Sequence, residues 1–271
     1  MSPRVVVSLT TSPQRISQIG DVIHCIKNQT YQVSRIYINL PHVFKRTGEG
    51  YTIPNFLRND PLIYINRCED IGPATKIVPT VTHEHDDDDN TIIISIDDDI
   101  LYYNTFVKLY IDYAETFKDS VITGKSYMYL SPSFRQGHLD ARSVELLEGF
   151  SGVAYRVKFL KGIENEIDFS KLPKSCYASD DFVLSNYILK KGYKIKVINE
   201  SLHYKKLKEL SYGFGEDALH KGAGTDLSGS TVNETKYKQC SNYLQSQNDL
   251  YISYYRNKGI FAYIKNMLFK F

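Results

Sequence analysis

Residues 91–96 read Thr-Ile-Ile-Ile-Ser-Ile and run directly into Asp97, Asp98 and Asp99. This junction constrains the fold more than any other part of the chain. A short, unbroken apolar run rich in β-branched residues is a strand buried on both faces, as in a parallel sheet covered by helices. The three acids then stand at its carboxyl end, the edge at which such sheets receive ligands. Adjacent carboxylates repel one another, and their proton affinity rises unless a cation offsets the charge. A hard divalent ion with oxygen ligands, Mg2+ or Mn2+, meets that need and also neutralises diphosphate oxygens.

The flanking sequence alternates in the way this reading requires. Residues 4–10, 35–40 and 62–65 are short apolar runs with strand character, and residues 16–28 place Ile19, Val22, Ile23 and Ile26 at helical spacing. Pro73 opens a helix that Pro79 kinks or shortens, and Asn104 is positioned to cap another helix carrying Phe106, Leu109, Tyr110 and Tyr113. Val121 and Ile122 suggest a further strand, residues 180–191 a helix, and residues 194–198 a strand. Strands alternating with helices predict an α/β sandwich around a largely parallel sheet. Polar residues collect at the predicted carboxyl edge: Thr10 and Thr11 after the first strand, Asn39 at the end of the second, Asp70 after the third. Upstream of the acidic strand, His83, Glu84 and His85 followed by residues 86–89 look metal-binding by composition. They precede the strand, so they belong at the opposite edge, and a solvated acidic loop is the expectation.

The chain has 271 residues, 42% of them hydrophobic and 24% charged, with a formal net charge of only +2. That balance gives no electrostatic footprint for nucleic acid. There is no apolar run of about 18 residues, so no transmembrane helix is expected, and the start passes straight into a strand, so a cytoplasmic protein is expected. Cys25, Cys68, Cys176 and Cys240 show no metal-ligand spacing and are read as free thiols in a reducing compartment. Residues 256–271 place Ile260, Ile264, Met267, Leu268 and Phe271 on one helical face beside Lys258, Lys265 and Lys270. Two expectations follow for this tail, a helix packed on its own domain or peripheral contact with an anionic membrane surface at the cytoplasmic face.

Four ordered pieces resemble the inverting GT-A glycosyltransferases of the family-2-like group, bacterial or large-virus type. They are Ser-Leu-Thr-Thr-Ser-Pro-Gln-Arg at 8–15, Glu-Asp-Ile-Gly-Pro-Ala-Thr-Lys at 69–76, Ser-Ile-Asp-Asp-Asp-Ile at 95–100 and Ser-Asp-Asp-Phe-Val-Leu at 179–184. The resemblance covers most of residues 4–204. It implies a Rossmann-like nucleotide-binding sandwich in which residues 1–123 hold the donor and 124–204 the acceptor, followed by a helical extension over 205–271. It implies a nucleotide-sugar donor, UDP-linked by family frequency, a glycan or lipid-linked acceptor, and a role such as polysaccharide biosynthesis. Thr10, Thr11, Arg15, Asn39, Asp70, Lys76, Asp97, Asp98, Gly152 and Asp180 would bind donor or substrate. Asp97, Asp98, Asp99 and His203 would hold the metal, and Asp181 would be the catalytic base. The family pattern has Glu before this Asp, whereas Asp180 stands there, which leaves open whether Asp180 shares the site's work or caps the helix. His203 follows the base motif by about twenty residues, where relatives often carry a metal-binding histidine.

Two other classes remain open at this point. A non-catalytic nucleotide- or sugar-binding relative would keep the acidic triplet and lose the base. A nucleotidyltransferase shares sheet-edge carboxylates but usually carries a glycine-rich phosphate loop, and residues 8–15 contain no glycine.

Overall fold

The computed structural model describes residues 3–84, 89–126, 141–198, 203, 206–214 and 232–255. Its centre is an eight-stranded sheet. The strands are β1 (Val5–Thr10), β2 (Arg35–Pro41), β3 (Ile63–Cys68), β4 (Ile92–Ser95), β6 (Ser120–Thr123), β7 (Ala141–Val144), β8 (Val153–Arg156) and β9 (Lys194–Ile198). Their order across the sheet is β3-β2-β1-β4-β8-β6-β9-β7. β3, β2, β1 and β4 run parallel, as do β6 and β9, whereas β8 is antiparallel to both β4 and β6 and β7 is antiparallel to β9. A separate two-stranded ribbon pairs β5 (Ile100–Leu101) with β10 (Lys208–Glu209).

The alternation of the strand side chains builds two apolar layers. Val5, Val7, Leu9, Ile92 and Ile94 face the helices Gly20–Lys27 and Phe106–Thr116. Val6, Ile93 and Tyr155 face the helix Asp180–Lys190 and the helix Val232–Ser246. Every residue of β4 is buried, as a strand covered on both faces requires. The expected α/β sandwich with a mostly parallel sheet is present.

Several expectations need correction. The first helix starts at Gly20 rather than at residue 16, after a run of turns. Residues 72–84 form two pieces, a 3-10 helix Gly72–Lys76 and an α-helix Val78–Glu84, and Pro79 falls in the first turn of the second, where it costs no internal hydrogen bond. Asn104 does not cap the next helix, because Thr105 holds that position without a side-chain cap. β8, which the alternation above does not include, is a central strand. The extension is not purely helical. Residues 206–214 fold back as β10 and a 3-10 turn, Ser211–Phe214, before the helix Val232–Ser246.

The four cysteines are not all free. Cys25 and Cys68 are half-buried thiols, but Cys176 and Cys240 form a disulfide with Cα atoms 4.8 Å apart. Bonds of this kind persist in oxidising surroundings, so the thiol argument for a reducing compartment falls away. No helix among the described residues is long and apolar enough to cross a membrane. The amphipathic tail at 256–271 lies outside the described residues, as do His85 and residues 86–88. Glu84 is not part of a solvated loop. It is fully buried and held by Arg4 through two bonds of 2.9 and 3.0 Å and by the Tyr37 hydroxyl at 2.5 Å.

Candidate active site

β1 and β4 lie side by side with Ser8 opposite Ser95, so the segments that leave them emerge together at one edge. Thr11 follows β1, and Asp97, Asp98 and Asp99 follow β4. The Thr11 hydroxyl donates to Asp98 Oδ2 at 2.5 Å. Arg15 reaches back from the turn after β1 and sets Nη1 3.3 Å from Asp98 Oδ1 and 3.1 Å from Asp99 Oδ2. The returning segment closes over this pair. Leu210 N donates to Asp99 O at 2.7 Å, the Tyr212 hydroxyl donates to Asp98 O at 2.7 Å, and the Tyr212 ring lies 5.9 Å from the Arg15 guanidinium carbon. Burial, reinforced by the neighbouring Asp99, pushes the Asp98 carboxyl up to about 7 against the pull of Thr11 and Arg15. Asp99 is likewise raised by burial and by Asp97, with Arg15 opposing.

A second acidic pair joins the first through Lys76. The helix Asp180–Lys190 begins beside the same edge, with Ser179 at its cap position, so Asp180 and Asp181 fill the first turn, where the helix dipole favours carboxylates. Asp180 therefore does not hold the cap position, which falls to Ser179 without a side-chain capping bond. Lys76, at the end of the 3-10 helix, sets its ammonium 3.2 Å from Asp97 Oδ1 and 3.3 Å from Asp180 Oδ2. Burial works against the charge on Lys76, but Asp180, Asp97 and Asp181 outweigh it and keep the ammonium protonated.

Asp181 Oδ2 accepts from Gly149 N at 3.0 Å, while Oδ1 is buried without a hydrogen bond. Burial and the adjacent Asp180 hold its proton affinity well above the ordinary carboxylate range, with Lys76 opposing. Gly149 permits this packing. A Cβ there would strike the Lys76 ammonium and stand 2.8 Å from Asp181 Oδ1.

The structure thus brings Thr11, Arg15, Lys76, Asp97, Asp98, Asp99, Asp180 and Asp181 to one edge. Other expected site residues have their polar atoms taken up by the fold. Thr10 donates its hydroxyl to Asn39 O at 2.8 Å. Asn39 is fully buried, donating to Thr80 Oγ1 at 2.9 Å and Ser8 Oγ at 3.1 Å and accepting from Asn66 at 2.9 Å. Asp70 accepts from Gly72 N, Lys45 N and the Tyr177 hydroxyl at 2.8–3.0 Å, which fixes the turn leading to Lys76. Gly152 is buried at φ 88°, and a Cβ would lie 2.6 Å from Phe106 Cζ, so its glycine serves backbone shape and aromatic packing rather than contact with substrate.

His203 differs most from expectation. It is fully buried among Tyr103, Phe106 and Tyr110. Its Nε2 lies 2.6 Å from Ser151 O and its Nδ1 3.1 Å from the Tyr103 hydroxyl. A carbonyl at Nε2 assigns the proton to that nitrogen and leaves Nδ1 to accept from Tyr103. Burial pushes the imidazole down to about 4, so it is neutral at pH 7. With both nitrogens engaged by protein groups, it supports the Ser151 segment, and a metal-ligand role is not carried forward.

Sequence reasoning missed Tyr102 and Tyr212. Tyr102 accepts from Asp97 N at 3.0 Å and donates to Phe150 O at 3.2 Å, tying the triplet to the Gly149 segment. The signals were the doubled glycines of Gly-Phe-Ser-Gly at 149–152 and the Tyr-Gly-Phe-Gly run at 212–215. Such clusters mark close backbone approach.

The residues present suit a hard divalent cation in charge and donor type. Among the described residues, Arg15 pairs with Asp98 and Asp99 and Lys76 with Asp97 and Asp180, while Asp180 Oδ2 and Asp181 Oδ1 are buried without hydrogen bonds. Among the described residues no three His, Cys, Asp or Glu side chains are already gathered to ligate a metal, because Arg15 and Lys76 stand between the acids. No protein-family model matches the chain, and no curated protein matches it significantly.

Proposed function

We propose that this chain is a metal-dependent inverting glycosyltransferase of the GT-A type. It would transfer a sugar from a nucleoside diphosphate, UDP by default, to a hydroxyl of a glycan or lipid-linked acceptor. The observation that carries this reading is the Lys76 bridge, which unites the strand-end acids with the helix-start acids in one charge-rich edge.

The division of labour follows from charge and access. Asp98 and Asp99, with Asp97 beside them, would hold Mg2+ or Mn2+, which when bound supplies Lewis-acid neutralisation of the departing diphosphate. Arg15 adds a guanidinium at the same end, suited to phosphate oxygens. Asp181 Oδ1, which has no hydrogen bond of its own, would take the proton of the acceptor hydroxyl. In transfer the hydroxyl proton passes to Asp181, the acceptor oxygen forms a bond to the anomeric carbon, and the bond from that carbon to the phosphate oxygen breaks, its electron pair leaving with the nucleoside diphosphate. Lys76 lowers the cost of ionising Asp181, and Gly149 N fixes the orientation of its carboxyl. Because the base acts in its ionised form, activity should rise with pH through the elevated range of Asp181.

The decisive experiment measures transfer and donor hydrolysis for the native chain and Asp181→Asn across a panel of nucleotide sugars with Mn2+. The variant should lose transfer while retaining metal-dependent nucleotide binding. Full transfer by Asp181→Asn would remove the assignment.

A further inference from the structure

Arg15 stands where its charge offsets the Asp98–Asp99 pair. Its side chain is only 11% exposed, and a single nitrogen, Nη1, approaches both Asp98 and Asp99. Behind it, the Tyr212 ring covers the guanidinium, and the Tyr212 hydroxyl is anchored on Asp98 O. The turn that carries Tyr212 is itself fixed, since Leu210 N bonds Asp99 O and β10 pairs with β5 directly after the triplet. Arg15 is therefore clamped between a carboxylate pair and an aromatic face, and it partly neutralises the two acids that the proposed function gives to a metal.

We infer that Arg15 is a resident counter-ion of the Asp98–Asp99 pair, exchanged for the divalent cation, so that it restrains metal loading until an anionic donor draws the guanidinium away. A cation arriving at these oxygens must displace a group already 3.1 and 3.3 Å from them. A diphosphate offers the displaced guanidinium a bidentate partner. Metal and nucleotide then bind more tightly together than either does alone, and by linkage the enhancement is the same whichever is added first. The inference rests on the metal reading above but not on sugar transfer.

The test is Mn2+ binding to the full chain, by calorimetry or electron spin resonance, with and without UDP. Native protein should bind Mn2+ weakly alone and more tightly with UDP. Arg15→Gln should bind Mn2+ alone about tenfold more tightly, within the roughly 5- to 150-fold range usual for coupled sites, and should show a smaller gain on adding UDP. Tyr212→Ala, which removes the covering ring and leaves every charge in place, should shift Mn2+ binding in the same direction by less, and it carries the test if Arg15→Gln does not fold. Thermal melts give an independent readout, since the metal should stabilise both variants more than native protein. Equal Mn2+ affinity in native protein and both variants overturns the counter-ion role and leaves the metal reading intact. Absence of Mn2+ binding in all of them overturns both, whereas failure of sugar transfer with these affinities unchanged touches only the glycosyltransferase reading.

Discussion

The two ends of the sheet both carry charged residues and treat them in opposite ways. Near the amino end, Glu84 is fully buried, yet Arg4 meets both of its oxygens and Tyr37 adds a third bond. Burial alone would raise this carboxyl, but the Arg4 and Tyr37 hydrogen bonds pull it below its ordinary value. At the carboxyl end five aspartates share Arg15 and Lys76, Asp98 is pushed up to about 7, and two buried oxygens lack hydrogen bonds. Composition does not separate these ends, since the amino side also carries the His83 segment and its acidic neighbours. Satisfaction separates them. A fully paired buried charge belongs to the fold, while a partly compensated cluster costs stability and is what the proposed function would use.

Four experiments probe that contrast. The largest effect is expected at the carboxyl end, where Asp181→Asn should lower transfer by roughly 100- to 10,000-fold, the span usual for a general base, as read by initial rates with nucleotide affinity as control. Next is a pH effect. Buried His203 resists protonation down to about 4, whereas the unfolded chain takes up that proton near 6.5. Stability should therefore fall as the pH is lowered through this window, by about 3 kcal/mol at most. Denaturant midpoints should show the slope in native protein and a flatter profile in His203→Gln. At the amino end, Glu84→Ala removes the carboxylate that Arg4 and Tyr37 hold. Because Arg4 is 32% exposed and water recovers part of the loss, about 2 kcal/mol of stability should go, with Mn2+ binding unchanged. A change in Mn2+ binding there would erase the distinction between the two ends. The smallest effect is expected for Gly149→Ala, whose new methyl must push aside the flexible end of Lys76 and the Asp181 carboxylate. Transfer should drop about tenfold while the melting temperature moves little.

Legibility followed the range of the interactions. β1, β2 and β4 could be read because each is a short, mostly apolar run, and β9 because Lys194, Lys196, Ile195 and Val197 alternate, and both signals are local. β8 could not, since its meaning comes from lying between β4 and β6, and its approach through Gly149 and Gly152 looks like a loop. The acids and Arg15 could be placed at one edge because a strand end and a helix start fix where the neighbouring residues emerge. Asn39 and Asp70 were assigned to the right edge but the wrong task. Their partners, Thr80, Asn66, Lys45 and Tyr177, lie up to 107 residues away, and nothing local announces them. The same holds for Cys176 and Cys240, 64 residues apart with no motif between them, and for the Tyr212 turn, reached through a two-residue strand too short to show a period.

That disulfide closes a covalent ring of chain that contains the helix of Asp180 and Asp181, β9, and the turn over Arg15. A protease that cuts once anywhere inside the ring produces two fragments that remain one molecule until reductant is added. The severed end bearing Tyr212 keeps a tether to the body of the protein through either Cys176 or Cys240. Its return to the acid pair is then an encounter within one molecule, governed by tether length rather than by protein concentration.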